Sequence, residues 1–446
     1  MSITAGVPAI DHHSHASAYQ SGGRYRSVQD HADHFNTGHL ESRIPSAVYR
    51  EYVQARNVHD TAALETLDQQ YGIQALLDEG RQFRSTTFFA TALRKGSSLL
   101  YNSSDESKFE ELGEQLRDGG VAAPYDTAAE VANTPTLLVD VKSIDAASWD
   151  PRRYRQIIRI DPYLYPFGFD PRDDRGTEAD RFLNIFAGVR GDEMRASGLD
   201  DVPRTLDGWE AFVLESLARR RQGGAIGYKI VSAYVRTLAF TRAIRSDASR
   251  EFEKLARGEA GDRGVLADYL VTRIAVEAGE HRVPIQIHTG MGHPEPGMYV
   301  RNADPLNLES WLLQPELNQV SIVLIHGAYP FTSHAAALAQ TYGNVYLDFS
   351  WMPYLHHEHL RLKLVEWMEI LPANKLLFGS DTGLPEFHVA AAHFAREALD
   401  AALQSGMQRN VWTAGQADFL AERILFQNAS DLYSLGSTTP RSTHSL

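Results

Sequence analysis

Two histidines separated by one residue, His13 and His15, lie at the end of the first apolar run, in the sequence IDHHSH. Successive side chains of a strand alternate between its two faces, so both imidazoles are expected on one face, as two ligands of one metal require. His12 is expected to point the other way, toward the helices that cover the strand. The pair alone is weak evidence, because the chain contains 18 histidines.

Four further polar residues stand where other predicted strands end. Lys229 follows AIGY, His288 follows PIQI, His326 follows IVLI, and Asp381 follows LLFGS. Any one of them alone would be read as a buried polar group or a helix cap. Together with the histidine pair they indicate one site, because the carboxyl ends of the strands in a closed parallel barrel meet at one mouth.

In the second half of the chain, short apolar runs alternate with helical stretches, and this pattern predicts the elements that position these residues. This alternation is typical of βα units around a parallel sheet. We therefore predict an α/β protein that forms a (β/α)8 TIM barrel. Residues 1–435 are expected to form a single domain, with helical insertions on the active-site side at about 16–70 and 165–222, and 436–446 a polar tail.

The first half is less regular than the second. IDHHSH is predicted to end the first strand, and 72–80 is predicted to be the second strand. For the third strand, 156–163 is preferred to 136–143. The histidine-rich run HHEH at 356–359 is predicted to be a solvated helix start, because it lacks the HExxH spacing of zinc proteases.

Composition excludes several classes of function. Lys and Arg total 43 against 57 Asp and Glu, and the net charge of −14 would repel a phosphate backbone, so no nucleic-acid partner is expected. The chain has no cysteine, which excludes disulfides, thiolate zinc sites and cysteine nucleophiles. No run approaches the length of a membrane span and no leader-like N-terminus is seen, so we expect a cytoplasmic enzyme with a small-molecule substrate and no membrane partner. A homo-oligomer paired through the helix layer is compatible with such a barrel.

The ordered set HxH, Lys, His, His, Asp resembles that of the amidohydrolase superfamily of metal-dependent (β/α)8 barrels. Longer stretches are similar to its amidohydrolase-2 branch, and in particular to the amidohydrolase-like domain that precedes a glutamine synthetase domain in nodulin and FluG-type proteins. These stretches are IDHHSH, GYKIVSAYVRTL, PIQIHTGMG, VLIHGAYPFTSHAAALAQTYGNVYLDFSW, KLLFGSDTGLPE and ILFQNASDLYSL. The similarity covers the first strand and nearly all of 225–435, and a glutamine synthetase domain has no counterpart in the sequence.

The resemblance implies a set of metal ligands. His13, His15 and Asp381 are expected to bind one metal, with His288 and His326 as further ligands. The implied cofactor is one or two Zn²⁺ ions, with other divalent metals as alternatives.

Lys229 has two expected forms. In binuclear relatives the lysine at this position is carbamylated and bridges two metals, and burial favours this reaction because it lowers the pKa of an amine. If Lys229 stays an ammonium, it is expected to anchor a carboxylate of the substrate.

The implied activity is that of a metal-dependent hydrolase, in which metal-activated water attacks the amide or lactone carbonyl of a small, carboxylate-bearing substrate. Asp381 is expected to take the proton of the water and return it to the leaving group. His326 or His288 is expected to stabilise the oxyanion if the site holds one metal. Nonoxidative decarboxylation, hydration and sugar-acid isomerisation stay open, because similar barrels run them on nearly the same ligands.

Substrate-binding candidates lie in the loops after the strands. Arg159 ends the third predicted strand, Tyr234 and Arg236 follow the fourth, His293 follows the fifth, and Glu386 follows the eighth. The arginines offer paired donors to a substrate carboxylate. Structural ion pairing or a place on the surface is an equally open interpretation for all five.

Overall fold

A computed structural model describes residues 2–16, 37–57, 60–118, 123–141, 150–169, 176–292 and 298–436. Within these ranges, eight parallel strands form one sheet in the order in which they occur along the chain. The predicted TIM barrel is confirmed. The strands are Ile10–Ser14 (β1), Thr136–Val141 (β2), Tyr154–Arg159 (β3), Ala225–Ile230 (β4), Ile285–His288 (β5), Ile322–Ile325 (β6), Val345–Asp348 (β7) and Leu376–Leu377 (β8).

Backbone hydrogen bonds connect the segment that continues β8 to β1. The backbone N–H of His12 donates to the carbonyl of Phe378 at 3.1 Å, and that of Asp381 donates to the carbonyl of His13 at 2.8 Å. The last of these bonds holds Asp381 beside the histidine pair.

The barrel interior is packed with side chains and is closed at the amino ends of the strands by the C-terminal helices. Strands such as IVLI of β6 are buried along their whole length, which is typical of a parallel sheet covered on both faces. The interior cluster combines six residues of five strands with three residues of the C-terminal segment: Ile10, Leu138, Ile157, Val323, Ile325, Leu377, Phe426, Ala429 and Tyr433.

Helices cover the outer face and fill the long connections between strands. Before β4 they are Thr37–Glu41 (α1), Ser46–Asn57 (α2), Thr61–Tyr71 (α3), Ile73–Arg84 (α4), Phe88–Leu100 (α5), Phe109–Asp118 (α6), Ala123–Val131 (α7), Asp161–Leu164 (α8), Gly176–Ala196 (α9) and Leu206–Gln222 (α10). After β4 they are Arg245–Ala256 (α11), Arg263–Glu280 (α12), Glu309–Leu312 (α13), Thr332–Thr341 (α14), Met352–Leu355 (α15), His357–Ile370 (α16), Pro385–Gln408 (α17), Ala414–Glu422 (α18) and Asn428–Leu432 (α19), with a π-helical turn at Arg423–Gln427.

The predicted second strand is wrong, because residues 72–80 lie at the start of α4. Ile73, Leu77 and Gly80 are buried at helical spacing, and the first two pack into a small cluster with residues of α1 to α3. The true second strand is Thr136–Val141, so the helical segment after β1 runs to Val131 and not only to about 70.

The predicted third strand is β3, which begins two residues earlier than expected and ends at Arg159. The connection that follows it is helical, as predicted, and contains α8 to α10. Most of the predicted polar tail, 437–446, lies outside the described residues. None of the helices in the described ranges combines the length and the hydropathy that a membrane span requires.

Candidate metal centre

The end of β1 is irregular, and this irregularity decides where its histidines point. The pairing of β1 with β2 shifts register between Asp11 and Ser14. Nε2 of His12 lies 2.6 Å from Oδ2 of Asp348, and Gln286 donates to the carbonyl of His12 at 2.7 Å. Because Asp348 and Gln286 come from β7 and β5, a side chain of β1 reaches them only inside the barrel. The prediction that His12 faces the helices is therefore wrong, since a register shift breaks the alternation of side chains.

Three of the predicted ligands converge at the mouth of the barrel. Nε2 of His13 lies 3.0 Å from Oδ1 of Asp381, and Nε2 of His15 lies 2.7 Å from the same oxygen. One candidate ligand atom from each of the three residues lies within 4.8 Å of the others. His13 and Asp381 are buried, whereas the side chain of His15 is 27% exposed and faces the opening of the site.

The histidines that end β5 and follow β6 adjoin this group. Nδ1 of His288 faces Nε2 of His326 at 3.1 Å, and Nδ1 of His326 lies 3.4 Å from Oδ2 of Asp381. The ring of Trp351 stacks on that of His326 with 3.9 Å between centroids. The structure thus brings all five predicted His and Asp ligands into one cluster, in which His15 is partly exposed and the other four are buried.

Lys229 lies at the floor of the same cluster. Its Nζ is 3.2 Å from Nε2 of His13, and the side chain is buried. Burial lowers the pKa of Lys229 to about 8, although the carboxylates of Asp381 and Asp140 act in the opposite direction. The neutral amine is therefore accessible near neutral pH.

The electrostatics of the cluster favour the protonation states that bind metals. Burial lowers the pKa of His13, His288 and His326 below the usual imidazole value, and the charge of Lys229 lowers it further. Burial alone would raise the pKa of Asp381, but the surrounding imidazoles hold it well below its usual value. Neutral imidazoles and an ionised carboxylate are the forms that ligate metals.

The donor set of these residues, with an unpaired oxygen of Asp381 at its centre, fits a divalent cation. Among the described residues, Nδ1 of His13, Nε2 of His288 and Oδ1 of Asp381 have no aligned hydrogen-bond partner. A buried polar atom without a partner costs about 1–3 kcal/mol, so each needs a reason. Imidazole nitrogen and carboxylate oxygen are the ligands that Zn²⁺ takes where thiolates are absent.

Three residues at the same place have a strained backbone conformation. His326, Trp351 and Asp381 have φ angles of 74°, 66° and 50°, in the left-handed region that side chains other than glycine seldom adopt. Each such residue costs about 1–3 kcal/mol and tends to be found at functional sites. The three follow β6, β7 and β8, so the strain lies around the mouth.

Comparison with known proteins places this site in a family. The sequence profile of the amidohydrolase family matches residues 206–435, just over half of the chain. The chain belongs to the amidohydrolase family. A curated relative, protein fluG of Emericella nidulans, is 34% identical over 183 residues, which are 39% of this chain and 21% of that protein. The match thus spans about a fifth of the length of fluG.

Solved structures resemble this amidohydrolase over almost its whole length. A candidate metal-dependent hydrolase from Lactobacillus casei is 17% identical, with a TM-score of 0.65 and 96% of each chain covered. Glucuronate isomerase from Caulobacter crescentus is 16% identical with a TM-score of 0.63, covering 98% of this chain and 94% of that one. Uronate isomerase from Bacillus halodurans is 14% identical with a TM-score of 0.60, covering 97% and 94%. At sequence identities of 14% to 17%, the similarity supports the assignment of the fold alone.

One predicted substrate residue of this amidohydrolase, Arg159, lies in the wall of the mouth. Its guanidinium binds the buried carboxylate of Asp140 through three hydrogen bonds of 2.8 to 3.0 Å. Asp140 lies 3.9 Å from Nδ1 of His15, which places the ion pair beside the candidate metal ligands. Nη1 of Arg159 is buried and has no hydrogen-bond partner among the described residues.

Tyr234 is the second predicted substrate residue that the structure brings to the cluster. Its ring centroid lies 4.5 Å from that of His288 and stacks at 4.0 Å on Phe182 of α9. The guanidinium of Arg159 lies 5.7 Å from the centroid of Phe182. The β3–β4 connection, through Phe182, and the loop after β4, through Tyr234, therefore contribute an aromatic wall to the mouth.

The other predicted substrate residues are not brought into this cluster. Arg236 pairs with Asp268 of α12 at 2.8 Å and packs over Phe240 in the helix layer. Glu386 is buried at the start of α17, where it accepts a hydrogen bond from Tyr101 of α5. His293 lies outside the described residues.

The run at 356–359 is less solvated than predicted, although it begins a helix as expected. His356 stacks on Tyr329 at 3.8 Å, and His357 stacks on Phe88 at 4.7 Å. Aromatic packing, rather than solvation, therefore accounts for these histidines.

Two acidic residues of the site were missed from sequence. Asp140 lies near the end of β2 and Asp348 ends β7, so both satisfy the strand-end rule that identified the other residues. Assigning 136–143 as a strand would have revealed Asp140. No sequence signal singled out Phe182 or Trp351.

Proposed function

We propose that this amidohydrolase is a metal-dependent hydrolase whose metal ligands are His13, His15, His288, His326 and Asp381. The observation that carries the proposal is the convergence of two imidazole nitrogens on Oδ1 of Asp381, a buried oxygen that has no aligned hydrogen-bond donor among the described residues. A divalent metal held there, Zn²⁺ in the first place, would supply a Lewis acid for a carbonyl group and a water of lowered pKa.

Asp381 is the proposed general base and acid. Its lowered pKa keeps it ionised near neutral pH, so it can accept the proton of the attacking water as the bond to the carbonyl carbon forms. It then returns that proton to the amine or alcohol that leaves as the C–N or C–O bond breaks. His326 is the second proposed catalytic residue, as a stabiliser of the oxyanion if the site holds one metal, and its Nδ1 lies 3.4 Å from Oδ2 of Asp381.

Lys229 would determine whether the site holds one metal or two. A pKa of about 8 leaves a fraction of neutral amine near pH 7, which supports carbamylation as the route to a bridging ligand. The unmodified ammonium, 3.2 Å from His13, would instead bind a carboxylate of the substrate. Mass measurement of the purified protein under native conditions separates the two forms.

The proposed substrate is a small molecule that carries a carboxylate. Arg159 is held rigidly by Asp140, and its remaining buried Nη1 can donate to such a group beside the metal ligands. The rings of Tyr234 and Phe182 would line the same side of the pocket.

The second candidate function is isomerisation of a sugar acid at the same site. Two of the similar solved structures are uronate isomerases, and an arginine that binds a carboxylate would serve either reaction. The two functions differ in whether a C–N or C–O bond is broken.

The test is a substrate screen on protein stripped of metal and reconstituted with Zn²⁺ or another divalent ion. The panel contains N-acyl amino acids, γ-glutamyl amides, lactones, aromatic carboxylates and uronates. We expect hydrolysis of an amide or lactone that a chelator abolishes and Asp381→Asn removes, while His359→Gln in α16 leaves it unchanged. Turnover of uronates alone would establish the isomerase, and turnover that survives both chelation and Asp381→Asn would contradict the proposal.

A further inference from the structure

The buried carboxylate of Asp348 is the centre of a hydrogen-bond network beneath the metal centre. Its Oδ1 accepts from the backbone N–H of His326 at 2.6 Å and from N–H and Oγ–H of Ser350 at 3.1 and 3.0 Å. Its Oδ2 lies 2.6 Å from Nε2 of His12. An ionised carboxylate only accepts, so each of these partners must donate to it.

These donors determine which nitrogen of His326 carries the proton. Because Ser350 gives its single hydroxyl hydrogen to Asp348, its Oγ must accept from Nδ1 of His326, 2.8 Å away. The other oxygen near Nδ1 is Oδ2 of Asp381, at 3.4 Å, which also accepts. His326 therefore carries its proton on Nδ1 and presents the lone pair of Nε2 toward His288.

The network continues down the barrel axis to the C-terminal segment. With its Nε2 donating to Asp348, His12 accepts at Nδ1, and the hydroxyl of Tyr433 lies 3.3 Å from that atom. Nε2 of Gln286 donates to the Tyr433 oxygen at 2.9 Å, which leaves the hydroxyl hydrogen for His12.

The fold makes room for Tyr433 inside the barrel. A Cβ at Gly227 of β4 would lie 2.4 Å from Cδ1 of Ile157 and 3.1 Å from Cε1 of the tyrosine ring, so glycine leaves the space that both side chains occupy. Tyr433 follows α19 and is 4% exposed.

We propose that Tyr433, His12 and Asp348 form a positioning chain that fixes the proton of His326 on Nδ1 and so prepares Nε2 as a metal ligand. This inference rests on the proposed function, because it gives His326 the role of a ligand. In other proteins, the groups that hydrogen-bond the second ring nitrogen of a ligating histidine tune metal affinity. Losing one such group lowers the affinity for the metal about 10- to 100-fold.

The first test measures Zn²⁺ affinity by competition with a chelator. Asp348→Asn should weaken binding about 10- to 100-fold, because one oxygen acceptor becomes a donor and the network must rearrange. Tyr433→Phe removes one neutral hydrogen bond and should weaken binding about 2- to 10-fold. The matched control is Tyr154→Phe, whose partly buried hydroxyl donates to Asp126 at 2.7 Å outside the barrel, and it should leave affinity unchanged. Parent affinity in both Asp348→Asn and Tyr433→Phe would overturn the proposal.

The second test reads the tautomer directly in metal-free protein. Histidine labelled with ¹⁵N reports which ring nitrogen is protonated, and the His326 signals are those lost in His326→Gln. We expect a proton on Nδ1 in the parent and a growing Nε2-protonated fraction in Tyr433→Phe. A parent that shows this tautomer but binds no Zn²⁺ would contradict the proposed function while supporting the chain. A parent that binds Zn²⁺ but is protonated on Nε2 in the metal-free state would overturn the chain alone.

Discussion

Replacing Arg159 by methionine should destabilise the fold by about 3–5 kcal/mol, because it leaves the carboxylate of Asp140 buried without its partner. The magnitude follows from the burial of the pair: Asp140 is 0% exposed, the Arg159 side chain is 6% exposed, and three hydrogen bonds join them. Burial raises the pKa of Asp140, and the charge of Arg159 outweighs this effect and holds it well below its usual value. Removing the arginine therefore leaves the cost of burying the Asp140 carboxylate without a compensating charge.

The assay is urea unfolding of the two single variants and the double variant. Asp140→Leu should lower the free energy of unfolding by a similar amount, because it leaves the guanidinium of Arg159 buried without its partner. The double variant should recover most of the lost free energy of unfolding, since a buried ion pair and an apolar pair of similar volume are often of comparable stability. Arg245→Met, which breaks an exposed pair with Asp207 and Glu210, is the control and should cost less than about 1 kcal/mol. Additive losses in the double variant, or a loss in Arg159→Met as small as that of the control, would refute the reasoning.

Two further predictions concern stability. Burial raises the pKa of Asp161 from 3.8 to about 6, so its contribution to stability is greatest below about pH 4 and is lost as pH rises through 6. The free energy of unfolding of Asp161→Asn relative to the parent should therefore rise by about 2 kcal/mol between pH 4 and pH 7, and a constant difference across that range would contradict this. Gly96→Ala should cost about 1–3 kcal/mol or more, because its Cβ would lie 2.0 Å from the carbonyl oxygen of Glu386, where α5 packs on α17. Gly188→Ala, in open space on α9, should instead stabilise by about 0.5–1 kcal/mol, and equal effects of the two on the thermal midpoint would count against the packing account.

The mouth of the barrel could be predicted from sequence because one geometric rule governs it. Carboxyl ends of parallel strands must meet, so polar residues at those ends, such as His288 and Asp381, had to lie together. The same rule applies to Asp140, but with 72–80 predicted as the second strand and 156–163 preferred as the third, 136–143 is left out of the predicted barrel. A short apolar run does not distinguish a strand from a buried helix, and the spacing of Ile73 and Leu77 is the helical one.

The orientation of His12 could not be predicted from sequence. Alternation along a regular strand sends it outward, and only the register shift between Asp11 and Ser14 turns it into the barrel. That shift depends on pairing with β2 and on hydrogen bonds from the segment after β8, which are contacts of long sequence separation. The network through Asp348 depends in turn on this orientation.

The most direct test of the metal centre is the stoichiometry of tightly bound Zn²⁺ after metal-free protein is reconstituted and passed through a desalting column. The parent should retain at least one equivalent, and His13→Gln and Asp381→Asn should each retain much less. His359→Gln, which alters a half-buried histidine near Thr332, should retain the parent amount. Equal zinc content in the parent, His13→Gln and Asp381→Asn would contradict a metal centre at the mouth of this barrel.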